Sequence, residues 1–139
     1  MRWRVLTLGI AVVAGVVLGA ISADAHHSIA GVYDSTRPVT LQGVITQFQF
    51  VNPHPFVLME ASDAKGAPQQ WRLEMDNRSE LADVGMTKDT LRSGDRIVVT
   101  GSLARNGTQG LYVRKLERPA DGFTYEQVGS SPRVTRRSS

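Results

Sequence analysis

The sequence predicts a small closed all-β barrel with one short helix, preceded by a secretory signal peptide. Three observations in the body of the chain predict it. A long apolar run changes side partway along, as a strand does when it serves two sheets. Residues Gln69 to Met75 alternate strictly, with Trp71, Leu73 and Met75 on one side and Gln70, Arg72 and Glu74 on the other. Between the third and fourth strand-like segments the pattern turns helical once, with Asn77 and Glu80 spaced as a capping box.

The chain opens on Met1-Arg2-Trp3-Arg4, then runs apolar for 17 residues from Val5 to Ile21, then exits through Ser22-Ala23-Asp24-Ala25. A charged start, an apolar middle and a small-residue exit are the grammar of a signal peptide over residues 1–25. Cleavage near Ala25 makes the expected location periplasmic or secreted. The run is at the short end of what spans a bilayer and lacks a strong positive stop. An uncleaved anchor is the alternative, and the one route to a membrane. Loss of 25 of the 139 residues leaves 114, enough for one modest core and too few for two.

His26 to Pro38 reads as a polar arm. The first strand then runs from Arg37 to Val51, and its parity changes: Val39, Leu41 and Ile45 share one side, whereas Val44, Phe48 and Phe50 share the other. Gly43 sits at the changeover, where a bulge or sharp coil is least costly. Phe56 to Ala61 is a second strand, Ser62 to Pro68 is turn chemistry, and Gln69 to Met75 is the third strand. Asn77 to Gly85 gives the helix, of two turns at most, and Thr87 to Leu91 is a candidate further turn. Arg96 to Leu103 and Leu111 to Glu117 are strands four and five, joined through Asn106-Gly107. Phe123 to Val128 is a candidate extra strand. Residues 129–139 read as a disordered basic tail, leaving 39–128 as the folded domain. Three strands, a helix, then two strands, with a long coiled first strand, is the order of the OB-fold; an SH3-like barrel or a β-sandwich is the competing arrangement.

Cysteine is absent, which excludes disulfides, thiolate metal sites, cysteine nucleophiles and lipid attachment at a thiol. The formal charge is +3, and it falls to +2 once Arg2, Arg4 and Asp24 are removed. Part of that surplus is Arg133, Arg136 and Arg137 in the tail, so the basic balance is not a nucleic-acid footprint. Phe48, Phe50, Phe56, Trp71 and Tyr112 are placed to stack on a ligand, but in a chain this poor in aromatics core packing is the expected use. Glu60, Glu74 and Asp76 read as solvated strand residues. No phosphate loop or dinucleotide fingerprint is present. Ser28 beside His27 lacks an acid partner and an oxyanion site, so an enzyme is not expected.

Chemistry concentrates at Phe50-Val51-Asn52-Pro53-His54-Pro55-Phe56, where two prolines hold Asn52 and His54 in extended backbone. The chain has three histidines, and the other two, His26 and His27, follow the expected cut. Cleavage after Ala25 makes the His26 α-amine free, and an amine with a pKa of ~7.7–8.0 binds metal near neutrality. Amine and imidazole of one terminal histidine chelate a single ion, and His27 or His54 completes a three-nitrogen set. Such a set favours Cu(II), with Zn(II) as the alternative metal. The arm is long enough to reach His54. The plainer expectation is that His26 and His27 are polar residues at a frayed end and that His54 bonds to backbone in a turn. Function thus reads as a non-enzymatic exported binding protein, with copper held by His26, His27 and His54. The alternative is an envelope module for a glycan or a protein, without metal, using Asn52, Trp71 and Arg72.

Several of these residues recur together elsewhere. His26-His27-Ser28, Tyr33-Asp34, Pro38-Val39-Thr40-Leu41-x-Gly43, Asn52-Pro53-His54, Trp71, Leu91-x-x-Gly94-Asp95 and Gly101 resemble, in order, a bacterial family of small exported proteins catalogued as domain of unknown function 6152. The resemblance spans about His26 to Glu117, with Met86 standing where the family often carries tryptophan. It implies an exported OB-like domain and brings no established activity.

Overall fold

A computed structural model describes residues 29–137. The chain divides into two units, Met1–Val32 and Tyr33–Ser139, and every strand among the described residues belongs to the second. The expected signal peptide and the pair His26 and His27 lie outside the described residues. Residues 29–32 are helical. Among the described residues, no helix is long and apolar enough to cross a membrane.

The second unit holds β1 (Tyr33–Gln49), β2 (Phe56–Ser62), β3 (Pro68–Glu74), the helix α1 (Arg78–Asp83), β4 (Arg96–Ala104), β5 (Gly110–Arg118), β6 (Phe123–Val128) and β7 (Ser131–Thr135). The sheet order is β3-β2-β1-β4-β5-β6-β7, and a parallel pairing of Arg72–Glu74 with Gly110–Tyr112 joins β3 to β5. Strands one to five therefore close into a ring with the order expected of an OB-like barrel.

β1 serves two partners, as its change of parity predicts. Tyr33 to Val44 pair with β4, and Val44 to Gln49 pair with β2. The bulge that flips the parity lies between Ile45 and Gln47, not at the expected Gly43. It turns Phe48 back toward the interior, so that Val39, Leu41, Ile45 and Phe48 all join or pack against one core. Gly43 answers a different need. A Cβ there would lie 2.4 Å from the Glu60 carbonyl oxygen, so only glycine permits β2 to cross so closely. The Gly94-Asp95 turn pins the strand at the same place: Gly94 N–H donates to the Ile45 carbonyl at 2.8 Å, and Ile45 N–H donates to that of Asp95 at 2.8 Å.

The core is aliphatic and methionine-rich, with Val57, Met59, Leu73, Met75, Leu81, Val99, Leu111, Val113 and Leu116 fully buried. Met86 is buried among them. α1 is capped as expected, the Asn77 side chain accepting from Glu80 N–H at 2.9 Å, and it buries Leu81. Arg118, at the end of β5, donates to Asp95 at 2.7 Å and to Asp121 at 2.8 Å. Its hydrogen bond is the main reason the Asp121 carboxyl stays below the ordinary aspartate range.

Two boundaries differ from expectation. The arm expected over residues 26–38 is already strand from Tyr33. The tail expected from Gly129 is not featureless: Ser131–Thr135 pair with β6 in a hairpin, from Val128↔Ser131 to Thr124↔Thr135. Alternation of half-buried Pro132 and Val134 with exposed Ser131, Arg133 and Thr135 lays that hairpin on the rest of the unit.

Candidate functional site

The loop from Phe50 to Pro55 links β1 to β2 and is tied to the segment that follows β3. Its Asn52–Pro53 peptide is cis. Arg78 N–H donates to the Pro53 carbonyl at 3.1 Å, and Met75 N–H donates to that of Pro55 at 2.9 Å. The Arg78 side chain reaches back to the Phe50 carbonyl at 3.2 Å, with its guanidinium 5.0 Å from the Phe50 ring centroid. Four contacts from residues 75 and 78 thus hold a loop that has no sheet partner of its own.

His54 is half-buried in this loop, and its Nδ1 lies 2.8 Å from the Met75 carbonyl oxygen. A carbonyl only accepts, so Nδ1 carries the proton and donates it. In a neutral ring that leaves Nε2 as a bare lone pair, the form of imidazole that ligates metals. The expectation of a turn histidine bonded to backbone is met, and the same bond sets the tautomer of the ring.

Asp76, one residue beyond Met75, departs from its expected role. The sequence reads it as solvated, whereas it is 6% exposed and accepts three hydrogen bonds. Tyr112 O–H donates to Oδ1 at 2.6 Å, Gln127 Nε2–H to the same oxygen at 2.7 Å, and Tyr125 O–H to Oδ2 at 2.6 Å. The cause is the pair of strands β5 and β6, whose Tyr112, Tyr125 and Gln127 side chains meet the chain just past β3. Glu74 is also engaged, accepting from Tyr33 O–H at 2.5 Å. The Tyr33 and Tyr112 ring centroids lie 5.7 Å apart. All three tyrosines of the chain are therefore committed to these two carboxylates. Burial is the largest cause raising all three phenols above the ordinary value of 10.0, and the partner carboxylates add to it. No buried side-chain nitrogen or oxygen lacks a partner among the described residues. One signal of this cluster exists in the sequence: Tyr112 sits between core residues Leu111 and Val113, which aims it outward.

The expected partner surface does not assemble as one patch. Trp71 packs against the core, while its neighbour Arg72 is exposed on the other face of β3, 3.5 Å above the Phe56 ring centroid. Asn52 is exposed in the loop. Among the described residues no group of three or more His, Asp or Glu side chains is placed to hold a metal. His54 is thus the one member of the expected set that the structure describes.

Beside the middle of β1, an open cleft of about 580 Å³ lies among Gln42–Val44, Glu60–Ser62, Arg96–Val98 and Pro119–Ala120. Its charged residues Glu60 and Arg96 are both exposed.

No curated protein matches the sequence. The model of a family of unknown function, DUF6152, matches residues 13–112, ending at Tyr112, before β6 and β7 begin. That match covers most of the chain and takes in the Asn52-Pro53-His54 loop, β1 to β4 and the Gly94-Asp95 turn: the chain belongs to the DUF6152 family.

Proposed function

We propose that this chain is a small exported binding protein, without catalytic activity, that takes up copper through His26, His27 and His54. The observation that carries the proposal is the His54 Nδ1–Met75 carbonyl bond of 2.8 Å, which leaves Nε2 as an unprotonated donor on a loop fastened at both ends. A donor held in its ligating form loses little freedom on binding. Removal of residues 1–25 would supply the rest: the α-amine and imidazole of His26, with His27 beside them. Nitrogen donors of this kind favour Cu(II) over the other first-row divalent ions.

The test is to titrate the mature protein, beginning at His26, with Cu(II) and to record its electron paramagnetic spectrum. One equivalent of nitrogen-ligated Cu(II) is expected. The spectrum should change in His54→Ala and when one residue is added before His26. A spectrum indifferent to both changes removes the site. The metal-free reading, an envelope module for a glycan or a protein, calls for a surface around Asn52, Trp71 and Arg72, and Trp71 and Arg72 face opposite ways.

A further inference from the structure

The structure assigns Asp76 a positioning role: held by Tyr112, Tyr125 and Gln127, it fixes the Met75 carbonyl and through it the tautomer of His54. The importance of that tautomer for copper rests on the proposed function, but the positioning itself does not.

The argument begins with the peptide group between residues 75 and 76. It is planar, so its carbonyl points wherever the two flanking residues orient the plane. On one flank the Met75 side chain is fully buried in the core, and Met75 N–H is bonded to Pro55. On the other flank Asp76 is held at both carboxylate oxygens, by β5 through Tyr112 and by β6 through Tyr125 and Gln127. The carbonyl that receives the His54 proton is therefore set by groups that never touch the imidazole. A carboxylate with three neutral donors around it among the described residues suits this task, because it accepts from several directions at once. The hairpin supplying two of those donors lies beyond the end of the family match, so this chain sets its His54 with residues outside the shared segment.

A free histidine side chain favours the opposite tautomer, with the proton on Nε2. The Nδ1–H form is therefore a signature of the Met75 bond and not a default. Loosening Asp76 should let the ring drift back, in a protein that remains folded.

The experiment is nitrogen-15 NMR of His54 in the metal-free mature protein at about pH 9, above the ordinary histidine range. The two ring nitrogens then give separate pyrrole-type and pyridine-type signals. In the wild type Nδ1 is expected to be pyrrole-type. In Asp76→Ala the ratio of Nδ1–H to Nε2–H should fall roughly tenfold, the weight of one hydrogen bond. Asp76→Asn should restore it, since its oxygen still serves Tyr112 and Gln127 and its amide donates to the Tyr125 oxygen. Should Asp76→Ala fail to fold, Gln127→Leu, which removes a half-buried donor, is expected to move the ratio in the same direction. A wild-type His54 with its proton on Nε2 overturns the inference, as does a ratio unmoved in folded variants. A tautomer shift in a protein that binds no copper leaves the positioning intact and removes the copper site instead.

Discussion

Two partings between strands of the unit are finished in opposite ways. Past the Val44↔Glu60 pair, β1 and β2 separate, and the parting is left as an open cleft of about 580 Å³ beside exposed Glu60 and Arg96. Along β5, the last pair with β3 is Glu74↔Tyr112 and the nearest pair with β6 is Lys115↔Glu126. That gap is closed, with Asp76 buried against β5 and β6 and, among the described residues, no buried side-chain nitrogen or oxygen without a partner. An open parting leaves its charges in water, where they contribute little to stability. A closed one takes a carboxylate and two phenols out of water, so each depends on the others remaining in place. One parting is thus tolerant of change and the other is not.

The contrast is broken most severely at Asp76. Asp76→Leu leaves the Tyr112, Tyr125 and Gln127 donors without an acceptor in a buried site. It is expected to lower the stability measured by denaturant unfolding by about 3 kcal/mol. A loss under about 1 kcal/mol would mean that water replaces the carboxylate, and that the closed parting is no more demanding than the open one.

A smaller effect should appear in alkali. In the folded protein the Tyr125 phenol titrates above the ordinary value of 10.0, through burial first and the Asp76 charge second. A raised value means that the folded state holds the proton longer than the unfolded chain does. The associated stability is complete below about pH 10 and is lost as pH climbs past it. Melting temperatures of the wild type should fall more steeply than those of Tyr125→Phe between about pH 9 and about pH 11.5. Parallel curves would show that the phenol is solvated after all. The smallest effect belongs to the open parting, where Glu60→Ala is expected to stay within ~0.5 kcal/mol of the wild type. A larger loss would show that the cleft is tied into the ring of strands as tightly as the closed side.

The ring of strands is legible in the sequence because its signals are local. Trp71 and Leu73, with Met75 just beyond, declare one face of β3, and Asn77 with Glu80 declares the start of α1. The changed parity of β1 announced a strand with two partners, though it pointed to Gly43 while the bulge formed at Thr46. Glycine at 43 was selected by the approach of the Glu60 carbonyl, which no periodicity records. Asp76 departs from its expected role for a related reason. Alternation places it outward, but whether outward means water depends on what lies over it, and its three partners are 36 to 51 residues away. The covering hairpin was itself hidden, since Pro132, Arg133 and the serines compose β7 from residues typical of a tail. His54 was legible as a stiffened, half-free imidazole, and the direction of its proton was not, because Met75 lies 21 residues on.

The double allegiance of β1 also governs the order in which the ring can be made. Its second half meets β2 across a short loop, so that hairpin and then β3 can assemble as soon as they exist. Its first half waits for β4, at residues 96 to 104, and until then Tyr33 to Gly43 is a strand edge without a neighbour. Such an edge recruits other chains. Exposed Arg37 and Pro38 stand in the middle of that stretch, where a charge and a missing N–H discourage foreign pairing until the proper partner arrives.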